Sequence, residues 1–196
     1  MGHHDCHEKM DDPDLARYDI ILVNSSGGKD SQAMLDVVCR CAADAGVLNR
    51  ITVLHCALGR VEWPGTADLA RRQALHYGVR YEERHREQGD LLTQVRQRGR
   101  WPSATARYCT SDQKRGPARK LVTQLVNELG AINRPAQVLN CMGLRAQESR
   151  ARLKKFEQCC VGCITVEGVS ALNSCVAGAL DDPVVPRAHL VDRDLP

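Results

Sequence analysis

Two adjacent glycines framed by serines and a lysine, Ser25-Ser26-Gly27-Gly28-Lys29-Asp30-Ser31, follow directly on the apolar run Ile20-Ile21-Leu22-Val23. A strand that ends in a small-residue turn and then opens a helix is suited to binding phosphate. Glycines leave no side chain in the way and reach backbone conformations closed to other residues. Backbone N–H groups and the positive end of the helix dipole then face an anion. Ser26 and Ser31 add hydroxyl donors, and Lys29 adds a mobile positive charge. The adjacency of Gly27 and Gly28 excludes both the Gly-x4-Gly-Lys-Ser/Thr loop and the Gly-x-Gly-x-x-Gly dinucleotide fingerprint.

The elements that must position this turn are legible as alternating strands and helices. Ala33, Met34, Val37, Val38, Cys41, Ala42 and Ala45 fall at helical spacing, and Gly46 supplies a stop. Ile51 to Leu58 reads as a second buried strand. Pro64-Gly65-Thr66 opens a helix that runs to about Tyr77 and ends at Gly78. Val79 to Arg84 reads as a weaker strand and Asp90 to Val95 as a short helix. Leu121, Val122, Leu125, Val126 and Leu129 form a helical stripe, and Gln137 to Met142 reads as another strand. The alternation predicts an α/β fold: a Rossmann-like parallel sheet with helices on both faces. Ligands of such sheets sit beyond the carboxyl ends of the strands, where Ser25–Ser31, Leu58–Trp63 and Gly143–Ser149 would gather. The expected organisation is a polar segment over 1–16, a domain over 17–155 that carries the phosphate-suited turn, and an irregular, cysteine-containing tail over 156–196.

The 196 residues suit one domain with a tail, with 43% hydrophobic and 26% charged residues in an ordinary globular balance. No apolar run approaches a membrane span, and the start is polar, so the expectation is a soluble, cytoplasmic protein without a membrane partner. Ten cysteines in such a chain read mostly as reduced core thiols, since Cys39, Cys41, Cys56 and Cys141 lie inside apolar patterns. The net charge of +3 is unevenly spread: from Gln94 to Lys120 eight arginines and lysines stand against one acid, Asp112. That block, Arg96 to Lys120, implies contact with phosphates or another anion, nucleic acid included. Gly99 and Pro102 interrupt any helix there, so a merely solvated helical face accounts for Arg119 and Lys120 better than for Arg96 to Arg107.

Ser26-Gly27-Gly28-Lys29-Asp30-Ser31 resembles the PP-loop of the ATP pyrophosphatases, the adenine nucleotide alpha hydrolase superfamily. Three further stretches are similar to its phosphoadenosine phosphosulfate (PAPS) reductase-like branch, which includes bacterial and phage proteins and the ATP pyrophosphatase of DNA phosphorothioation. They are Leu58-Gly59-Arg60-Val61-Glu62-Trp63-Pro64-Gly65-Thr66, then Arg107 to Pro117, then Gly143-Leu144-Arg145-Ala146-Gln147-Glu148-Ser149-Arg150-Ala151-Arg152. The likeness covers roughly Tyr18 to Lys154.

The resemblance implies an enzyme that binds ATP, or PAPS or APS, with Mg²⁺. Cleavage at the α-phosphorus with release of pyrophosphate would activate a substrate for sulfur or group transfer. The implied nucleotide contacts are Ser25, Ser26, Gly27, Gly28, Lys29, Asp30, Ser31, His55, Leu58, Gly143 and Arg145. Lys29, Lys114, Arg115 and Arg145 would stabilise charge in the reaction, while Asp30 and Glu62 are candidate Mg²⁺ ligands. The rival enzyme reading is sulfonucleotide reduction, with Cys109 or a tail thiolate attacking sulfur. A different class is an iron–sulfur or zinc module on Cys159, Cys160 and Cys163, whose one C-x-x-C lacks a second. A nucleic-acid-associated protein is the third class, without a recognised binding motif. An adenine nucleotide and an anionic substrate or sulfur donor are the expected partners, and a homodimer is left open. Two departures from the family stand out. Ala57 occupies a position where relatives often carry an acid, and no Glu-Cys-Gly-type motif occurs in the tail.

Overall fold

A computed structural model describes residues 14–144, 150, 163–166 and 169–175. Strand β1 (Ile20–Asn24) leads into helix α1 (Lys29–Asp44), β2 (Ile51–Cys56), α2 (Thr66–His76) and β3 (Arg80–Arg84). Helix α3 (Leu91–Arg98), a single turn α4 (Tyr108–Thr110) and α5 (Gly116–Glu128) precede β4 (Val138–Leu144). A π-helical turn, Ser111–Arg115, joins α4 to α5.

The strands form one sheet in the order β3-β2-β1-β4-β6-β5, where β5 is Cys163–Val166 and β6 is Val169–Cys175. The first four run parallel, with Ile21 opposite both Ile51 and Leu139. Strands β6 and β5 pair antiparallel at the β4 edge. The parallel α/β architecture is as expected, but these two strands fall within the segment read as an irregular tail. The sheet therefore continues past residue 155.

Alternation along β1 explains the layering, because successive side chains point to opposite faces. Ile21 and Val23 pack with Val53, Leu139 and Cys141 beneath α1 residues Met34, Leu35 and Val38 and α2 residue Ala74. Ile20 and Leu22 pack on the other face with Leu54 and Val138, under Leu121, Val122, Leu125 and Val126 of α5. Each fully buried leucine or isoleucine in these layers contributes about 1.5–3 kcal/mol. Helices thus cover both faces. Among the described residues, no helix is long and apolar enough to cross a membrane.

The order 3-2-1-4 reverses direction between β1 and β4, which makes the crevice beyond their carboxyl ends the switch point of the sheet. The Ser25–Ser31 turn leaves β1 at that place.

Candidate functional site

The turn is held by its own hydroxyls. Ser25, buried, accepts the Gly27 N–H at 3.1 Å. Ser31, also buried, accepts the Ser26 N–H at 3.2 Å and donates to the Gly28 carbonyl at 2.8 Å. Serine at these positions therefore shapes the loop, and Ser26 and Ser31 hydroxyls meet at 3.3 Å. Gly28 is the N-cap of α1 and offers no side-chain cap, and the first intrahelical bond runs from Gln32 N–H to its carbonyl. A helix start without a capping side chain leaves its first amides for water or an anion. Gly28 and Lys29 are exposed in front of it, and Asp30 is half-buried in the first turn.

The two glycines have different jobs. Gly27 sits at φ +73°, and a Cβ on it would stand 3.0 Å from the Thr66 carbonyl oxygen of α2. Both the backbone and the packing demand glycine there. Gly28 has an ordinary extended φ of −82°, and a Cβ would touch only the Ser26 hydroxyl at 3.4 Å. What Gly28 supplies is open space, so the expectation of special backbone geometry holds for Gly27 alone.

Neighbouring strands press on the same loop. Ser25 N–H continues the ladder to Leu54, and His55, 1% exposed, places Nδ1 3.0 Å from the Ser25 carbonyl. Its Nε2 faces the Glu62 carboxylate at 3.5 Å. His55 therefore braces the loop from beneath and turns its other ring nitrogen toward Glu62. From the β4 side, Gly143 lies against the backbone at the start of α1. Asn24, the last residue of β1, donates to the Cys141 carbonyl at 2.9 Å and so closes the β1–β4 seam.

Leu58 takes a packing position: its side chain joins Leu91, Val95 and Tyr108 in a small cluster, and its carbonyl accepts the Leu91 N–H at 3.2 Å. Beside it, Arg60 forks onto Asp90 at 2.7 and 3.0 Å, and Asp90 caps α3 by accepting the Thr93 N–H at 2.8 Å. The fork holds the Asp90 carboxyl well below the usual carboxylate range, with the Thr93 bonds adding to it. Gly59 is obligatory there, since a Cβ would overlap the Asp90 side chain at 2.5 Å. The β2–α2 loop is thereby welded to α3. Trp63, which the sequence before Pro64 suggests as loop packing, instead stands 86% exposed.

Lys114 and Arg115 lie exposed at the end of the π-helical turn. Beneath them, fully buried Gln113 donates to Gln94 Oε1 at 2.9 Å, and Gln94 donates to Asp112 at 2.6 Å. Asp112 is held below the ordinary carboxylate range, first by the Ser111 hydroxyl and then by Gln94 and Arg98, against an opposing effect of burial. The Cys56 thiol meets the Lys114 carbonyl at 3.6 Å and is pushed up to about 11 by burial, which makes it a poor nucleophile. Cys109 lies half-buried beside Thr110.

Sequence reasoning missed Gln73. This α2 residue is buried and directs Nε2 to the Gly27 carbonyl at 3.3 Å and to Gln32 Oε1 at 3.2 Å. Its only local signal is a polar residue within the buried stripe of α2, beside Ala74. A shallow cavity of about 280 Å³ lined by Gln32, Arg72, Gln73, His76 and Tyr77 contains no glycine of the loop and is a separate feature. Arg145, Glu148, Arg152, Cys159 and Cys160 lie outside the described residues, and of Cys163 only the backbone, in β5, is described. Among the described residues no three His, Cys, Asp or Glu side chains gather as a metal site. No family model matches this chain, and no curated protein or solved structure matches it.

Proposed function

We propose that the chain binds ATP or a closely related adenine nucleotide at Ser25–Ser31 and cleaves it at the α-phosphorus, releasing pyrophosphate to activate a substrate for sulfur or group transfer. The observation that carries this reading is the loop itself. An uncapped helix start, preformed by Ser25 and Ser31 and braced by His55, Gln73 and Gly143, opens at the switch point of a parallel sheet. Exposed Lys29 supplies charge at its mouth, and exposed Lys114 and Arg115 supply charge on the neighbouring helical turn. Such groups would stabilise the leaving pyrophosphate electrostatically.

Asp30 and Glu62 fit the sparse mode in which Mg²⁺ arrives with phosphates and takes one or two carboxylates. When bound, the ion would neutralise phosphate charge. Glu62 already faces His55, so Asp30, in the first turn beside the phosphate position, is the better placed of the two.

The test is a nucleotide-binding titration coupled to a pyrophosphate assay, with sulfite measured in a parallel incubation with PAPS. Gly28→Val fills the space in front of the helix start, and Ser31→Ala removes the loop bonds to the Ser26 N–H, the Ser26 hydroxyl and the Gly28 carbonyl. Both should weaken ATP binding at least tenfold with the fold retained. Unchanged affinity in both variants would remove the reading, and sulfite without pyrophosphate would move it to sulfonucleotide reduction.

A further inference from the structure

Both tryptophans of the chain are exposed, Trp63 by 86% and Trp101 by 59%, in a protein with only 4% aromatic residues. Neither loop leaves its indole exposed for want of anchoring. The Trp63 loop is fixed through Arg60 to Asp90 at the start of α3, and Trp101 follows Arg100, whose carbonyl accepts the Tyr108 hydroxyl. The Trp63 loop is thus tied to the start of α3, and Trp101 follows its end; the 8 residues of the helix span about 12 Å. Arg96 lies on α3 and Arg100 and Arg107 on the segment after it, all exposed and with no side-chain ion pair among the described residues. Arg98 of the same helix is different: it pairs with Asp112 at 3.3 Å and lies over the Tyr108 ring at 4.5 Å.

We infer that these residues, carried by α3 and the segments tied to its two ends, form a surface that binds single-stranded nucleic acid. Trp63 and Trp101 would serve as stacking platforms for bases, and Arg96, Arg100 and Arg107 would engage the backbone phosphates. An apolar protein partner would be served by the indoles but not by three unpaired guanidiniums. A simple polyanion would be served by the guanidiniums but not by the indoles. Single strands offer both faces at once, because each unstacked base has a π-face and each link a phosphate. The inference extends the charge reading of the Arg96–Lys120 block and does not depend on which nucleotide the Ser25–Ser31 loop holds.

Because Trp63 and Trp101 are the only tryptophans, selectively excited tryptophan emission reports on these two positions, apart from the four tyrosines. The full chain is titrated with oligothymidylate, oligouridylate, a duplex of equal length and heparin, at several salt concentrations. Both single strands should quench the emission. Neutralising about three phosphates should cost about tenfold in affinity between ~50 and ~150 mM salt. Trp101→Ala and Trp63→Ala should each weaken binding by roughly fivefold to a hundredfold. The triple change Arg96→Gln, Arg100→Gln, Arg107→Gln should flatten the salt dependence. Absence of quenching, equal affinity for the duplex or heparin, or oligonucleotide affinity indifferent to both tryptophan variants would each overturn the inference. ATP affinity measured on the same samples shows separately whether the phosphate loop works.

Discussion

Gly143, near the end of β4, lies against the backbone of Asp30: a Cβ on it would stand 2.8 Å from the Asp30 carbonyl oxygen and 3.2 Å from the Ser31 nitrogen. Residues far apart in sequence thus meet at the first turn of α1, and the Ser25–Ser31 loop is seated on the strand that closes the switch point. Backbone, unlike a flexible side chain, cannot swing away. Gly143→Ala should therefore displace the start of α1 or the end of β4, at a cost of about 1–3 kcal/mol. Thermal unfolding and ATP titration together check this, and affinity should fall more steeply than stability. A variant that binds and melts like the parent would show that β4 does not brace the loop.

Gln73 is the second brace. Gln73→Leu keeps the bulk but leaves the Gly27 carbonyl and the Gln32 amide without this donor. Loss of the buried bonds should destabilise the protein by about 1–3 kcal/mol, with a larger relative loss in nucleotide affinity. The comparison is with Leu75→Ala, an exposed change on the same helix that should do little to either quantity. Equal effects from the two would assign Gln73 to α2 stability alone.

Acid should weaken the fold in a defined way. The Arg134 fork holds the Asp19 carboxyl down, the Arg60 fork does the same for Asp90, and the Ser111 hydroxyl leads for Asp112. Each is lowered in the folded state relative to an ordinary aspartate near pKa ~3.9. Their stabilisation is therefore fully present above about pH 5 and is lost progressively as pH falls from there toward the lowered folded values, because the unfolded chain takes up protons first. Melting temperature should be flat from neutrality to about pH 5 and then decline. Arg60→Ala should lower the plateau and make the decline shallower, and an unchanged slope would exclude Asp90 as a contributor.

Thiol chemistry separates the cysteines. Burial pushes the Cys39 thiol up to about 12, with the Asp36 carboxylate adding to it, and burial pushes Cys56 to about 11. At pH 7.5 both should resist iodoacetamide in the folded protein and react quickly once it is unfolded. Peptide mass spectrometry after a timed pulse checks this. Rapid labelling of Cys39 in native buffer would mean that α1 opens locally.

Much of this architecture is legible from short patterns. The run Ile20–Val23 announces a strand buried on both faces, and the hydroxyl-glycine turn behind it announces the helix start, because both signals are local. The seats of Gln73, Gln94 and Gln113 are not local. Each looks like an ordinary helix-surface residue and is buried only because another element folds over it. Strands β5 and β6 were hidden for a similar reason: residues 163–175 mix small and polar side chains without sustained alternation, and their pairing depends on the open edge of β4. For Trp63 the sequence leaves two readings, a packed loop before Pro64 or a platform for a base, and its exposure and the Arg60–Asp90 anchoring of its loop are not legible locally.

The strand order also sets a sequence of events during synthesis. Strand β1 can pair with β2 as soon as residue 56 is made, yet its other edge waits for β4, which begins at Val138. Through that interval the nascent chain presents an unpaired, strongly apolar edge at Ile20–Val23, the kind of edge that recruits foreign strands. Fragments that stop short of β4 should consequently aggregate rather than fold. The loop at Ser25–Ser31 acquires its Gly143 support only when β4 docks, so its final geometry arrives late in assembly.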